Sequence, residues 1–145
     1  MRDSFPVAVA FVLAHEGGYT DGSDGDPGGE TKFGISKRFH PNEDIKNLTE
    51  ERAREIYLEE YWKPVGADFL GMPTDIVAFD TAVNQGVGFA ISMLHECEDM
   101  GATAMLFYRL KKYSAIVAAR PASLKYLRGW MNRVIELYDY MKEVK

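Results

Sequence analysis

Residues 15–35 read His15-Glu16-Gly17-Gly18-Tyr19-Thr20-Asp21-Gly22-Ser23-Asp24-Gly25-Asp26-Pro27-Gly28-Gly29-Glu30-Thr31-Lys32-Phe33-Gly34-Ile35. An apolar, helix-compatible run from Phe5 to Ala14 leads into this stretch and stops at Gly17-Gly18. Glycine after a helix is a usual terminator because it accepts positive φ. Glu16 is therefore expected in the last helical turn, beside the negative end of the macrodipole, where like charge disfavours ionisation of a carboxyl group. A carboxyl group kept neutral near pH 7 is what a general acid requires.

The loop that follows carries Asp21, Asp24, Asp26 and Glu30 among glycines that let backbone pass close to a ligand. Inverting glycoside hydrolysis needs one protonated carboxyl and one carboxylate, roughly 6.5–9.5 Å apart, with a water between them. Glu16 and Asp26 are candidates for that pair, with Thr31 as a candidate holder of the water. Asp21 and Asp24 are rival bases, expected to be solvated loop acids. Asp26-Pro27-Gly28 is also ordinary turn chemistry, and Thr31 has an alternative as a hydrogen-bonded turn or strand residue.

The run Glu-Gly-Gly-Tyr, then Asp-Pro-Gly-Gly-x-Thr, then Gly-Ile resembles the signature of glycoside hydrolase family 108. Tyr61-Trp62, Phe79-Asp80-x-Ala82-Val83-Asn84-x-Gly86 and Gly129-Trp130-x-Asn132-Arg133 resemble later blocks of that family. The order Glu, Asp, Thr is also similar to that of phage-type lysozymes. The resemblance implies an N-acetylmuramidase of lysozyme-like fold, mainly α with a small β-hairpin near residues 17–35. It implies Glu16 as acid, Asp26 as the residue that activates or orients water, and Thr31 as its assistant. Tyr19, Asn84 and Trp130 become candidates for substrate contact. Each has a plainer reading: Tyr19 as loop packing, Asn84 as a helix cap, and Trp130 with Arg133 as core residues near Leu137. One departure stands out. Asp99-Met100-Gly101-Ala102-Thr103 is shortened where relatives carry a longer turn thought to help hold peptidoglycan.

At 145 residues, with 46% hydrophobic content, the chain is expected to form one domain with a real core. One cysteine, Cys97, excludes an internal disulfide. The acidic loop does not fit an EF-hand: the twelfth position is Lys32 counting from Asp21 and Ile35 counting from Asp24, where a glutamate belongs. His15, His40 and His95 are too scattered for an obvious zinc site, so neither metal nor cofactor is expected. No apolar stretch approaches the ~18 residues of a membrane span, and no secretory leader is read in residues 5–14. A net charge of −5 argues against nucleic acid as partner. For an anionic glycan it leaves a locally basic cleft to be found, with Lys32, Lys37 and Arg38 as candidates. The expected partner is the peptidoglycan glycan strand, met by a monomer made in the cytoplasm and acting at the wall in the manner of a phage endolysin. Its rivals are a lytic transglycosylase and a silent wall-binding or secretion-associated protein.

Periodicity places helices from about Ser4 to His15, with Ser4 near the N-cap, and from Glu50 to about Trp62 behind a Thr49 cap. Others are expected from a Thr74 cap to Gln85, from Phe89 to Met100 ended by Gly101, and over 102–119 and 122–143. Tyr19-Thr20 and Thr31-Lys32-Phe33 are expected to pair as a short hairpin. Asp80 interrupts the stripe Ile76, Val83, Val87, and Arg109 interrupts another built from Met105, Leu106 and Tyr113. Buried charges are tolerable when paired, so Asp80 is expected inside with Arg109 as its partner.

Overall fold

The structure, a computed structural model, describes residues 4–23 and 29–144. The chain runs through α1 (Ser4–His15), a two-stranded antiparallel hairpin β1 (Thr31–Lys32) and β2 (Ile35–Ser36), α2 (Glu50–Tyr57), α3 (Thr74–Gln85), α4 (Val87–Glu96), α5 (Gly101–Ala119) and α6 (Leu124–Glu143). Short 3₁₀ turns at Ala67–Phe69 and Pro121–Ser123 join the later elements.

The molecule is built around α3. Eight consecutive residues, Asp75 to Ala82, are buried, because this helix lies between α1, α4 and α5. A helix covered all round needs small or apolar residues on every face, and Ala78 and Ala82 let neighbours come close. On one side Phe79 meets Phe5 of α1 and Trp62 edge-on, with ring centroids 5.8 and 5.5 Å away. Phe5 and Trp62 complete the trio at 5.2 Å, a geometry favoured by the aromatic quadrupoles.

Helix α2 starts as expected: the Thr49 hydroxyl accepts from Arg52 N at 3.2 Å. Its continuation, Leu58–Trp62, widens into a π-turn, with Lys63 N bonding to Leu58 O. That turn carries Trp62 fully into the core, where its Nε1 donates to Asp68 at 3.0 Å. The indole N–H thus keeps a partner although the ring is dry.

Three sequence expectations are corrected. The hairpin pairs Thr31 with Ser36 and Lys32 with Ile35. Thr20 joins it through one isolated bridge, with two Thr20–Thr31 backbone bonds of 2.9 Å, because the chain reverses within four residues at Phe33-Gly34. Ser4 opens α1 where the sequence places it, and its hydroxyl donates to buried Asp75 at 2.6 Å, tying α1 to α3. Thr74 lies inside α3, whose cap residue is Pro73 with no side-chain cap bond. Gly101 opens α5 instead of closing α4, which ends at Glu96; its φ of +78° suits the turn between them.

Candidate active site

Glu16 follows the last residue of α1, and its N–H still bonds to Val12 O at 3.1 Å, so the final turn closes around it. The helix stops at Gly17-Gly18 as expected, although neither glycine takes left-handed φ. Two side contacts pin this helix end to α6. His15 meets Phe11 O through Nδ1 and the Glu136 carboxylate through Nε2. Further back, the Tyr140 hydroxyl donates to Val7 O at 2.9 Å.

Three more elements converge on the Glu16 side chain. The first is the tip of the hairpin, where Phe33 and Gly34 both have positive φ (52° and 76°) as in a type I′ turn. A Cβ on Gly34 would overlap the Tyr57 hydroxyl and lie 2.9 Å from Glu16 Cγ and Cδ. Glycine is thus required twice, for its φ and for its missing side chain. The second is α2, whose Tyr57 hydroxyl donates to Phe33 O at 2.8 Å and holds the tip in place. Burial first, and then the field of Glu16, push the Tyr57 phenol well above its ordinary value, so it stays a donor. Tyr61 is raised too, by burial, Glu60 and Glu16 in that order.

The third is α6, from which Arg133 Nη1 donates to Glu16 Oε1 at 3.2 Å. The helix end is therefore not the sole charge that Glu16 faces. The same guanidinium grips Asp80 of α3 through Nη2 at 2.8 Å and Nε at 3.1 Å. Asp80 takes a second guanidinium on its other oxygen, Arg109 Nη1 of α5 at 2.7 Å, so the expected buried pair is present and is enlarged to a triad. Burial works against the Asp80 charge, but Arg109 and Arg133 more than offset it and hold the carboxyl below the usual carboxylate range. Burial likewise opposes the Arg133 charge, while Asp80 first and Glu16 second keep the guanidinium firmly cationic.

Beyond the triad, the Asn84 side-chain oxygen accepts from the Tyr113 hydroxyl at 2.5 Å, and that hydroxyl also accepts from Arg109 Nη2 at 3.2 Å. Trp130 stacks on Tyr113 with centroids 5.0 Å apart and planes inclined by 19°. Tyr126 continues the row at 5.9 Å. Asn84 and Trp130, both half-buried, thus belong to one continuous polar and aromatic patch with Arg133.

Tyr19 is exposed, and its hydroxyl donates to Glu30 at 2.8 Å; it does not pack into the core. Thr31 sits on β1, and its hydroxyl donates to Gly29 O at 3.1 Å, which leaves the oxygen free to accept. Asp26 and its rival Asp24 lie outside the described residues. Asp21 is exposed and bonds to the Ser23 backbone. The basic candidates are engaged along their own segment: Lys32 Nζ donates to Lys46 O, Lys37 Nζ donates to Glu43 O, and Arg38 lies over Phe39. Among the described residues, no group of three or more His, Cys, Asp or Glu could hold a metal ion. No helix there is long and apolar enough to cross a membrane.

A sequence model of the family described as Glycosyl hydrolase 108 matches residues 9–86, more than half of the chain. The chain belongs to glycosyl hydrolase family 108. Its fold is similar to that of Brucella abortus SagA, with a TM-score of 0.77 at 25% identity over 97% of this chain and 94% of the other. Comparison with curated protein sequences gives no match. The architecture is lysozyme-like and mainly α. The family 108 match spans Glu16, Asp26, Thr31, Asp80 and Asn84, but ends before Arg109, Tyr113, Trp130 and Arg133. Sequence reasoning read Arg133, with Trp130, as a core residue near Leu137 with the cleft floor as the alternative, and gave Tyr57, Gly34 and Tyr113 no role in the site. The usable signal was Arg133 three residues after Trp130, on the same helical face as the inward stripe.

Proposed function

We propose that this family 108 glycosidase is an N-acetylmuramidase that hydrolyses the β-1,4 bond between N-acetylmuramic acid and N-acetylglucosamine in peptidoglycan, with inversion at the sugar carbon. Glu16 gives its proton to the glycosidic oxygen, which takes the electron pair of the breaking C–O bond. Asp26 takes the proton of the attacking water, and Thr31, whose oxygen can still accept, helps to hold that water. Tyr19, Asn84 and Trp130 contact the sugars, and no cofactor enters the scheme.

The observation that carries this reading is the setting of Glu16. It stands at a helix end, walled by a glycine-tipped hairpin, and its side chain keeps 24% of its exposure, enough for a ligand to reach it. Family membership supplies the bond class. The biological setting that fits best is an endolysin, a monomer synthesised in the cytoplasm that meets the glycan strand once the membrane is permeabilised.

Mass spectrometry of peptidoglycan digested by wild type, Glu16→Gln and Asp26→Asn tests both roles. Hydrolysis leaves reducing muramic ends, and each variant loses most of the activity. Anhydromuramic ends would assign the chain to the lytic transglycosylases instead. Undiminished activity in Glu16→Gln would overturn the proposal. Fresh product in which the β anomer predominates would overturn inversion alone.

A further inference from the structure

We infer that Arg133 is the positioning residue for Glu16, and that buried Asp80 sets the orientation in which Arg133 meets it. The inference rests on Glu16 being the general acid proposed above. Its basis is the division of labour on one guanidinium. Two nitrogens of Arg133, Nε and Nη2, are held by Asp80 at 3.1 and 2.8 Å, which fixes the plane of the fork. The remaining nitrogen, Nη1, is thereby aimed at Glu16 Oε1 at 3.2 Å. Asp80 is itself held on both sides: its side chain is 1% exposed and its second oxygen is paired with Arg109.

Glu16, Arg133, Asp80 and Arg109 form a row of alternating charge that closes to neutrality once Glu16 has released its proton. In the reaction, that proton passes to the glycosidic oxygen as the C–O bond breaks and its electron pair moves to that oxygen. Water then bonds to the sugar carbon and its proton passes to the base. The charge left on Glu16 develops directly in front of Arg133, where a fixed donor costs no reorganisation. The other groups whose fields reach this centre are Tyr57 of α2 and Tyr61 of the π-turn, both held neutral. His15, beside Glu16 on α1, is already paired with Glu136.

The test compares kcat and KM of wall hydrolysis for wild type, Arg133→Gln, Arg133→Lys and Asp80→Asn, with helicity and thermal melting measured on each. Arg133→Gln should lower kcat roughly tenfold to a hundredfold with KM little changed, the size expected of a misplaced catalytic group. Arg133→Lys keeps the charge but not the fork, so it should not restore kcat. Asp80→Asn loosens the anchor of the fork and should lower kcat in the same way. If Asp80→Asn fails to fold, the two Arg133 variants, altered on a partly exposed side chain, decide the matter. Wild-type kcat in folded Arg133→Gln overturns the inference, as does a loss confined to KM or one that Arg133→Lys restores in full. If Glu16→Gln also retains full activity, the proposed function itself has failed. An inactive Glu16→Gln beside an unaffected Arg133→Gln sinks this inference alone.

Discussion

At Gly34 a single hydrogen atom in place of a side chain lets the hairpin tip lie against both the acid and the tyrosine that holds the tip. Gly34→Ala must move Glu16, Tyr57 or the turn, and it also puts a non-glycine residue at φ +76°. It should lose activity by roughly two orders of magnitude through displacement of the acid and stability by about 1–3 kcal/mol through strain. Turbidity clearing and a urea titration read the two effects separately. Arg109 is different in kind, because its side chain is wholly buried and Asp80 is the anion it meets. Arg109→Met leaves Asp80 with half its compensation, and breaking a buried pair costs about 3–5 kcal/mol, to be read from chemical denaturation. The sign of the pH dependence follows from the lowered Asp80 carboxyl. Its contribution is fully present above the ordinary aspartate value of about 3.9 and is lost as pH falls through the depressed native value. Melting temperatures followed from pH 6 down to pH 2 should therefore show the wild type keeping this increment through pH 4 and shedding it below. Asp80→Asn should lack that acid-side loss.

At the scale of elements, α3 was legible from its apolar run and from its two inward polar positions, Asp80 and Asn84. Pattern could identify Asp80 as buried because a charge on an apolar stripe demands a partner, and Arg109 carried the matching signature on α5. Arg133 shares the Trp130 and Leu137 face of α6, but exposed Leu124, Tyr126, Met131, Ile135 and Tyr138 add apolar spacing on the outer side, so pattern alone did not single it out as a second partner of Asp80. The π-turn at Leu58–Trp62 was also invisible, since one widened turn leaves composition unchanged and is set by how Trp62 fits between Phe5 and Phe79. Phe79→Ala removes the ring shared by α1, α3 and the π-turn, and should cost about 3–5 kcal/mol, checked by denaturant unfolding.

At the scale of the whole molecule, the net charge of −5 would, for the proposed polyanionic glycan substrate, set the long-range encounter. On the proposed reading, enzyme and wall repel at low ionic strength, and the repulsion fades once the Debye length drops to about 10 Å near 0.1 M salt. Clearing rates of permeabilised cells should therefore rise between low and physiological salt, as measured by turbidity at constant pH.

Local sequence was enough for the helix that ends at His15, just before Glu16, for the Thr49 cap and for the family to which the chain belongs, because each is written in neighbouring residues whose spacing and backbone preferences act over a few ångströms. Folding alone brought Glu16, Gly34, Tyr57, Asp80 and Arg133 to one point from five separate elements. Contacts between residues as far apart as 16 and 133 depend on how helices pack, and packing is settled by the summed fit of many side chains that no short motif contains.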